Sequence, residues 1–169
     1  MSPGHPASDD PGAFAASVQD ILRNTVPSVG ATGIEVLDAG PGHIRTRLPF
    51  LPQNGNHIGT VYAGVLFAFL ESSGGALVLV SFDVSRWIPV VVAGTIRFLR
   101  PVSGAIEADL HVTDDERDQV HAALDSDPKH AWTLTAQATS EDGRVACESD
   151  ITYRFRAVPA SGEPVRSDR

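Results

Sequence analysis

The chain reads as an α+β domain in which one curved antiparallel sheet encloses a long apolar helix. Three observations predict this. A run of twenty-two residues, Val61 to Phe82, carries a single charge, Glu71, and is long enough for a helix buried on most sides. Later segments alternate apolar and polar residues with the period of two that marks half-buried strands. Gly-, Pro- and Asp-Gly-containing turns join neighbouring strands closely, and strands linked in that way pair antiparallel.

The elements follow in chain order. Residues 1–11 and 157–169 share a composition of Pro, Gly, Ser and Asp and read as mobile tails. Residues 12–156 read as one domain. Phe14, Val18, Ile21 and Leu22 recur at helical spacing, and Pro27 closes this first amphipathic helix. "GIEVL" and "HIRTRLPF" flank the turn cluster "DAGPG" and form a hairpin. The apolar helix spans about Thr60 to Val80, and "VVVAGTIRFLRP" supplies a strand that Pro101 stops. Ile106, Ala108, Leu110 and Val112 face one side of the next strand, and Trp132, Leu134, Ala136 and Ala138 face one side of another. The Asp142-Gly143 turn leads into a last strand with Val145, Cys147, Ile151, Tyr153 and Phe155 on its apolar face. Residues 114–130 read as a loop insertion holding a short polar helix; Thr113 and Glu116 have capping-box spacing at its start, and Pro128 ends it.

Composition excludes several function classes. The 169 residues have 42% apolar and 20% charged side chains and a net charge of −8, with Lys129 the only lysine. No overall basic field is available for nucleic acid or an anionic membrane. One cysteine, Cys147, rules out an intrachain disulfide and a multi-cysteine zinc site, and no metal centre is expected. The first residues, "MSPGHPASDD", lack a secretory pattern, so a cytoplasmic location is expected. Val61 to Phe82 has the length of a membrane span, but a central Glu beside Ser72, Ser73, Gly74 and Gly75 is costly in lipid.

Glu71 is therefore the residue that needs a reason. Helical spacing puts it on one side with Gly64, Phe67, Ala68, Gly75 and Val78, a side notched by glycines where a thin ligand or a neighbouring backbone can approach. The bland account is a buried acid satisfied by an Arg or by backbone donors. "NHIGTVYAG", from Asn56 to Gly64, followed seven residues later by Glu71, resembles the signature of hot-dog fold acyl-CoA thioesterases of the phenylacetate-degradation and 4-hydroxybenzoyl-CoA type. In those families an Asn precedes by six residues a His-Gly-Gly that opens the central helix, and an acid follows nine residues after the His. Asn56, Gly64 and Glu71 match; Tyr62 and Ala63 stand in place of the His and the first Gly. The resemblance covers Ile34 to Phe155, and "TIRFLRPVSG" is similar to the strand after the family's helix. The Asp and His dyad of the hydratase branch is missing.

The resemblance implies a hot-dog fold, an acyl-CoA or related thioester as substrate, coenzyme A only as part of that substrate, and a homodimer or dimer of dimers with sites built from both chains. Glu71 then serves as general base or nucleophile, and burial should raise its pKa. The amides around Ala63 and Gly64, at the positive end of the helix, suit a developing oxyanion. Tyr62 either donates a hydrogen bond to the carbonyl as an imidazole would, or packs on the sheet. Asn56 orients water or carbonyl, or is a turn residue. Arg97 and Arg100 hold the phosphates of coenzyme A, or are solvated strand residues. Val65, Leu66, Phe67 and Phe69 line an acyl pocket or fill the core. His57 reads as a surface residue and Cys147 as a buried apolar filler. The rival function is a domain that holds acyl-CoA without cleaving it.

Overall fold

The computed structural model describes residues 10–127 and 129–158. Helix α1 spans Pro11–Thr25 and a single turn, α2, spans Pro27–Gly30. The hairpin β1 (Glu35–Gly40) and β2 (His43–Leu48) follows, then α3 (Ala63–Ser81), β3 (Trp87–Phe98), β4 (Ile106–His111), α4 (Asp114–Ser126), β5 (Ala131–Ser140) and β6 (Val145–Ala157). The six strands form one antiparallel sheet in the order β1-β2-β4-β5-β6-β3.

The sheet curls around α3, whose Leu70, Ser73, Ala76, Leu77 and Val78 are fully buried against inward residues such as Ile44, Ala108, Leu134 and Ile151. α3 is the helix among the described residues long and apolar enough to cross a membrane, and its position inside the sheet is that of a core helix. Ser73 would be an unsatisfied polar group there, but its hydroxyl lies 2.7 Å from both the Phe69 carbonyl and the Thr46 hydroxyl. The Asp142-Gly143 turn is made as expected, with Gly143 at φ +78°.

The folded region is slightly longer than the composition suggested. Asp10 caps α1 by accepting the Gly12 N–H at 3.0 Å, and the Val158 N–H reaches the Arg86 carbonyl at 2.9 Å. The rest of the expected tails, residues 1–9 and 159–169, lies outside the described residues. The central helix begins three residues later than read, at Ala63, because Tyr62 is extended at φ −64°, ψ 135°. The segment after Thr113, read as a loop insertion holding a short polar helix, forms α4 between β4 and β5; the helix buries Val120 and Leu124, and Phe82 packs on His121 with ring centroids 5.6 Å apart. Thr113 does cap the helix through the Glu116 N–H. The Glu116 carboxylate goes elsewhere, to the Trp132 indole N–H at 2.8 Å, which ties α4 to β5. The helix ends at Ser126; Pro128 lies outside the described residues.

The two sheet edges are treated differently. α1 covers β1, where Gln19 donates to the Ile34 carbonyl at 2.9 Å and accepts the Val36 N–H at 2.5 Å, satisfying backbone groups an edge strand leaves open. β3 has no such cover among the described residues. Val91, Val92 and Phe98 on it, and Leu99 just beyond, are 37–49% exposed.

Candidate active site

Along α3 the sheet leaves one stripe open. Gly64 is exposed and Phe67, Ala68, Glu71 and Gly75 are half-buried, while most of their neighbours are buried. That is the glycine-notched side anticipated from spacing except at its end, where Val78 is fully buried, so Glu71 sits where the helix meets space rather than sheet.

The Glu71 carboxylate has no ion-pair partner among the described residues. One Oε accepts the Ser72 hydroxyl at a long 3.4 Å. Burial pushes its pKa above the ordinary carboxylate value, and the Ser72 contact opposes this only in part. An acid satisfied by a buried Arg is thus not what the geometry contains. Beneath it, the Tyr153 hydroxyl donates to the Glu71 carbonyl at 3.3 Å; burial first, and the Glu71 charge second, raise the Tyr153 pKa. Tyr153 therefore remains a neutral donor that fixes the helix turn carrying the acid.

Glu71 borders a cavity of about 500 Å³ between α3, the α1–α2 pair and the start of β3. Its walls include Ile21, Leu22, Val26, Val29 and Trp87. None of the four residues suggested for an acyl pocket lines it; Leu66 and Phe69 are buried in the core, and Val65 and Phe67 pack against it. Sequence reasoning missed these walls because most of them come from helices more than forty positions upstream of Glu71, and Trp87 comes from the start of β3. The usable signal was Gly75, a second consecutive glycine inside a helix.

The helix N-terminus forms a separate cleft of about 350 Å³, where Asn56, Thr60, Ala63 and Arg100 come together with Phe98 and Leu99. The Val65 and Leu66 N–H groups bond to the Tyr62 carbonyl, leaving Ala63 and Gly64 as the first amides without an intrahelical acceptor. Tyr62 supplies no side-chain cap and is 56% exposed. Its ring lies across Gly64, where a Cβ would stand 2.5 Å from Tyr62 Cε1. Asn56 is occupied with its own loop: its side-chain carbonyl accepts the Ile58 and Thr60 N–H groups at 3.0 and 3.1 Å, and its amide donates to the Thr60 hydroxyl at 2.8 Å.

The two arginines do not act together. Arg97 is paired with Glu148 on β6 at 2.6 Å, whereas Arg100 lies in the cleft beside the helix N-terminus. His57 is exposed, and Cys147 is fully buried, its thiol pushed up to about 11 by burial. Elsewhere, His43, Asp109 and His111 on β2 and β4 place three donor atoms within 4.8 Å of one another, the one such group among the described residues. His43 stacks on His111 at 4.5 Å, and Asp109 Oδ1 lies 3.1 and 2.9 Å from their Nε2 atoms.

A sheet of this order curled round a helix that carries a lone acid on its open stripe defines a protein of the hot-dog thioesterase superfamily. Within it the chain belongs to the family described as "Domain of unknown function (DUF4442)", which matches residues 15–155. The chain is similar to the solved structure of PA5026 from Pseudomonas aeruginosa, described as a protein of unknown function and probable thioesterase. The two are 33% identical with a TM-score of 0.81, over 92% of this chain and 100% of that one. The protein OLEI01261 from Chlorobaculum tepidum shares the fold at 16% identity and TM-score 0.74, over 86% and 96% of the two chains. So does the thioesterase HI1161 from Haemophilus influenzae, at 15% identity and TM-score 0.68, over 96% and 100%. Comparison with curated proteins finds no match.

Proposed function

We propose that the protein hydrolyses an acyl thioester of coenzyme A or a related thiol to the free acid and the thiol, with Glu71 as general base. One observation carries this reading: an unpaired carboxylate with a raised pKa borders an apolar cavity. A base works best when its pKa approaches the operating pH, and desolvation moves Glu71 that way. The carboxylate takes a proton from water, the resulting hydroxide adds to the thioester carbonyl, and collapse expels the thiolate, which takes up the proton. The likeness to PA5026, described as a probable thioesterase, supports the same class.

The oxyanion formed in the addition needs donors, and the free Ala63 and Gly64 amides suit it. They cannot serve the Glu71 of their own chain. Seven or eight residues of helix separate them, roughly 11–12 Å at the usual rise, too far for one carbonyl to meet both. A complete site therefore takes Glu71 from one copy and the helix N-terminus from another. The uncovered apolar edge β3 favours a second copy of the chain as that partner, because an edge strand pairing with itself about a two-fold axis closes symmetrically. Arg100, in the cleft with those amides, suits a phosphate of coenzyme A; Arg97 is held by Glu148.

The test is Glu71→Gln, assayed by free-thiol release across a panel of acyl-CoA thioesters. The variant should fold and lose roughly 10²-fold or more in kcat. Hydrolysis at the wild-type rate would remove Glu71 from the chemistry. Tight acyl-CoA binding by the wild type without turnover would instead favour a binding domain, a reading suggested by Tyr62 standing where relatives of the resembling type have a His.

A further inference from the structure

Glycines 74 and 75 are adjacent in the middle of α3, where each costs about 1 kcal/mol relative to alanine. Gly74 has a packing reason: a Cβ there would lie 2.5 Å from the Tyr153 hydroxyl and 3.0 Å from Leu134 Cδ2. Gly75 has none. A Cβ built on it meets nothing within 4 Å among the described residues outside its own helix backbone. It lies one turn beyond Glu71, and the space it faces is the cavity shared with the N-terminal helices. The helix gives up stability at Gly75 without gaining a close contact.

We propose that Gly75 and the α1–α2 pair form a channel for a straight aliphatic acyl chain, entered past Glu71, and that Gly75 sets how long a chain is accepted. The proposal rests on the thioesterase reading for the identity of the headgroup and goes beyond it in the substrate class.

The walls carry the chemistry. Ile21, Leu22, Val26, Val29 and Leu79 are aliphatic, and Trp87 contributes the aromatic surface at one end. Of the polar groups lining the cavity, the Thr25 hydroxyl is spent on the Ile21 carbonyl at 2.6 Å, and the Ser72 hydroxyl turns to Glu71. Besides the carboxylate, only the Trp87 indole N–H remains as a side-chain polar group facing a ligand, and the rest of the wall is hydrocarbon, which suits a largely apolar tail. The α3 residues lining the space run from Glu71 to Leu79, about 12 Å of helix. A staggered carbon chain advances about 1.3 Å per ~1.5 Å bond, so this length holds roughly eight to ten carbons. The cavity of about 500 Å³ lies within the range of roughly 300–1,000 Å³ typical of small-molecule sites.

The experiment compares wild type, Gly75→Ala and Gly75→Leu in two measurements. The first is kcat/KM on saturated acyl-CoA thioesters from two to sixteen carbons, with phenylacetyl-CoA alongside. The second is calorimetric binding of decanoyl-CoA to the same proteins in the Glu71→Gln background. Gly75→Leu extends a branched side chain into the channel, so the ratio of decanoyl-CoA to butyryl-CoA turnover should fall at least tenfold, with Gly75→Ala intermediate. Decanoyl-CoA affinity should fall in parallel, and thermal unfolding should show that neither variant is less stable than wild type. Binding that weakens as predicted in a protein that hydrolyses no thioester would sink the catalytic reading and leave the channel standing. An unchanged chain-length profile with unchanged decanoyl-CoA binding would overturn the channel whether or not the enzyme turns over. Preference for phenylacetyl-CoA over every aliphatic thioester would overturn the aliphatic class.

Discussion

Replacing each of the paired glycines by alanine separates packing from open space within two adjacent residues. Both substitutions gain the same helix propensity, about 0.8–1.0 kcal/mol. At Gly75 nothing opposes that gain, because the added methyl meets no atom within 4 Å outside its own helix backbone. Gly75→Ala should therefore raise stability by about 1 kcal/mol, a Tm increase of roughly 2–4 °C for a chain of this size. At Gly74 the methyl would lie 2.5 Å from Tyr153 Oη and 3.0 Å from Leu134 Cδ2, against an optimum of about 3.5–4.0 Å for carbon contacts. Neither tip moves freely: Tyr153 is 2% and Leu134 5% exposed, and the tyrosine ring stacks on Trp132 at 5.9 Å. Overpacking of this kind costs about 1–3 kcal/mol, and pushing the Tyr153 hydroxyl off the Glu71 carbonyl forfeits about 1 kcal/mol more. The net effect of Gly74→Ala is a loss of about 1–3 kcal/mol, so the neighbouring variants should differ by about 2–4 kcal/mol. Urea denaturation followed by circular dichroism measures both. Equal shifts, or a Gly75→Ala protein less stable than wild type, would refute the assignment of contact to one glycine and cavity to the other.

Stability should also depend on pH through Glu71. Burial raises its folded-state pKa above the unfolded value, so within that window the native state keeps a proton that the unfolded chain has released, and stability falls as pH rises from the ordinary carboxylate range upward. Relative to Glu71→Gln, the wild type should lose stability across this window and match the variant's pH dependence below it; parallel urea-denaturation curves from pH 4 to 8 would contradict the raised pKa. Val92→Glu, at a position 46% exposed on β3, should shift sedimentation from dimer toward monomer and abolish thioester turnover together; a wild type that is strictly monomeric at micromolar concentration would remove the two-chain site. Cys147, fully buried with its thiol pushed up to about 11, should resist disulfide-exchange reagents at pH 8 until the chain unfolds, and rapid labelling of the native protein would show the β6 face to be open.

What was legible in the sequence followed from local rules. Period-two alternation located β4, β5 and β6, and the turn at Asp142-Gly143 was readable because the tight connection between β5 and β6 needs a residue at positive φ, which Gly143 supplies. The apolar helix and most of its open stripe were readable because sheet burial imprints its pattern on Gly64, Phe67, Ala68, Glu71 and Gly75, whereas Val78, placed on the same side by spacing, is fully buried. The role of α4 was not: only Val120 and Leu124 of its thirteen residues are buried, and its further attachments, Glu116 to Trp132, His121 to Phe82 and Asp125 to Arg86, join positions sixteen or more apart in sequence. The cavity walls were hidden for the same reason, since Ile21 to Val29 approach Glu71 only through tertiary packing.

The position of Glu71 follows from the same division. A carboxylate on the buried side of α3 would need a charged partner, and among the described residues no basic side chain is buried there. On the open stripe the penalty is smaller but still present, as its raised pKa records. Two neighbouring features also run against stability or satisfaction of the fold: Gly75 forgoes helix propensity without a contact in return, and the Ala63 and Gly64 amides end the helix without a side-chain cap. Each of these costs fold stability and each faces space a ligand can fill. A fold under no other demand would put alanine at 75, glutamine at 71 and a serine or aspartate at 62. All three departures fall on one helix, which is the pattern expected where binding and chemistry, rather than packing, decide the residue.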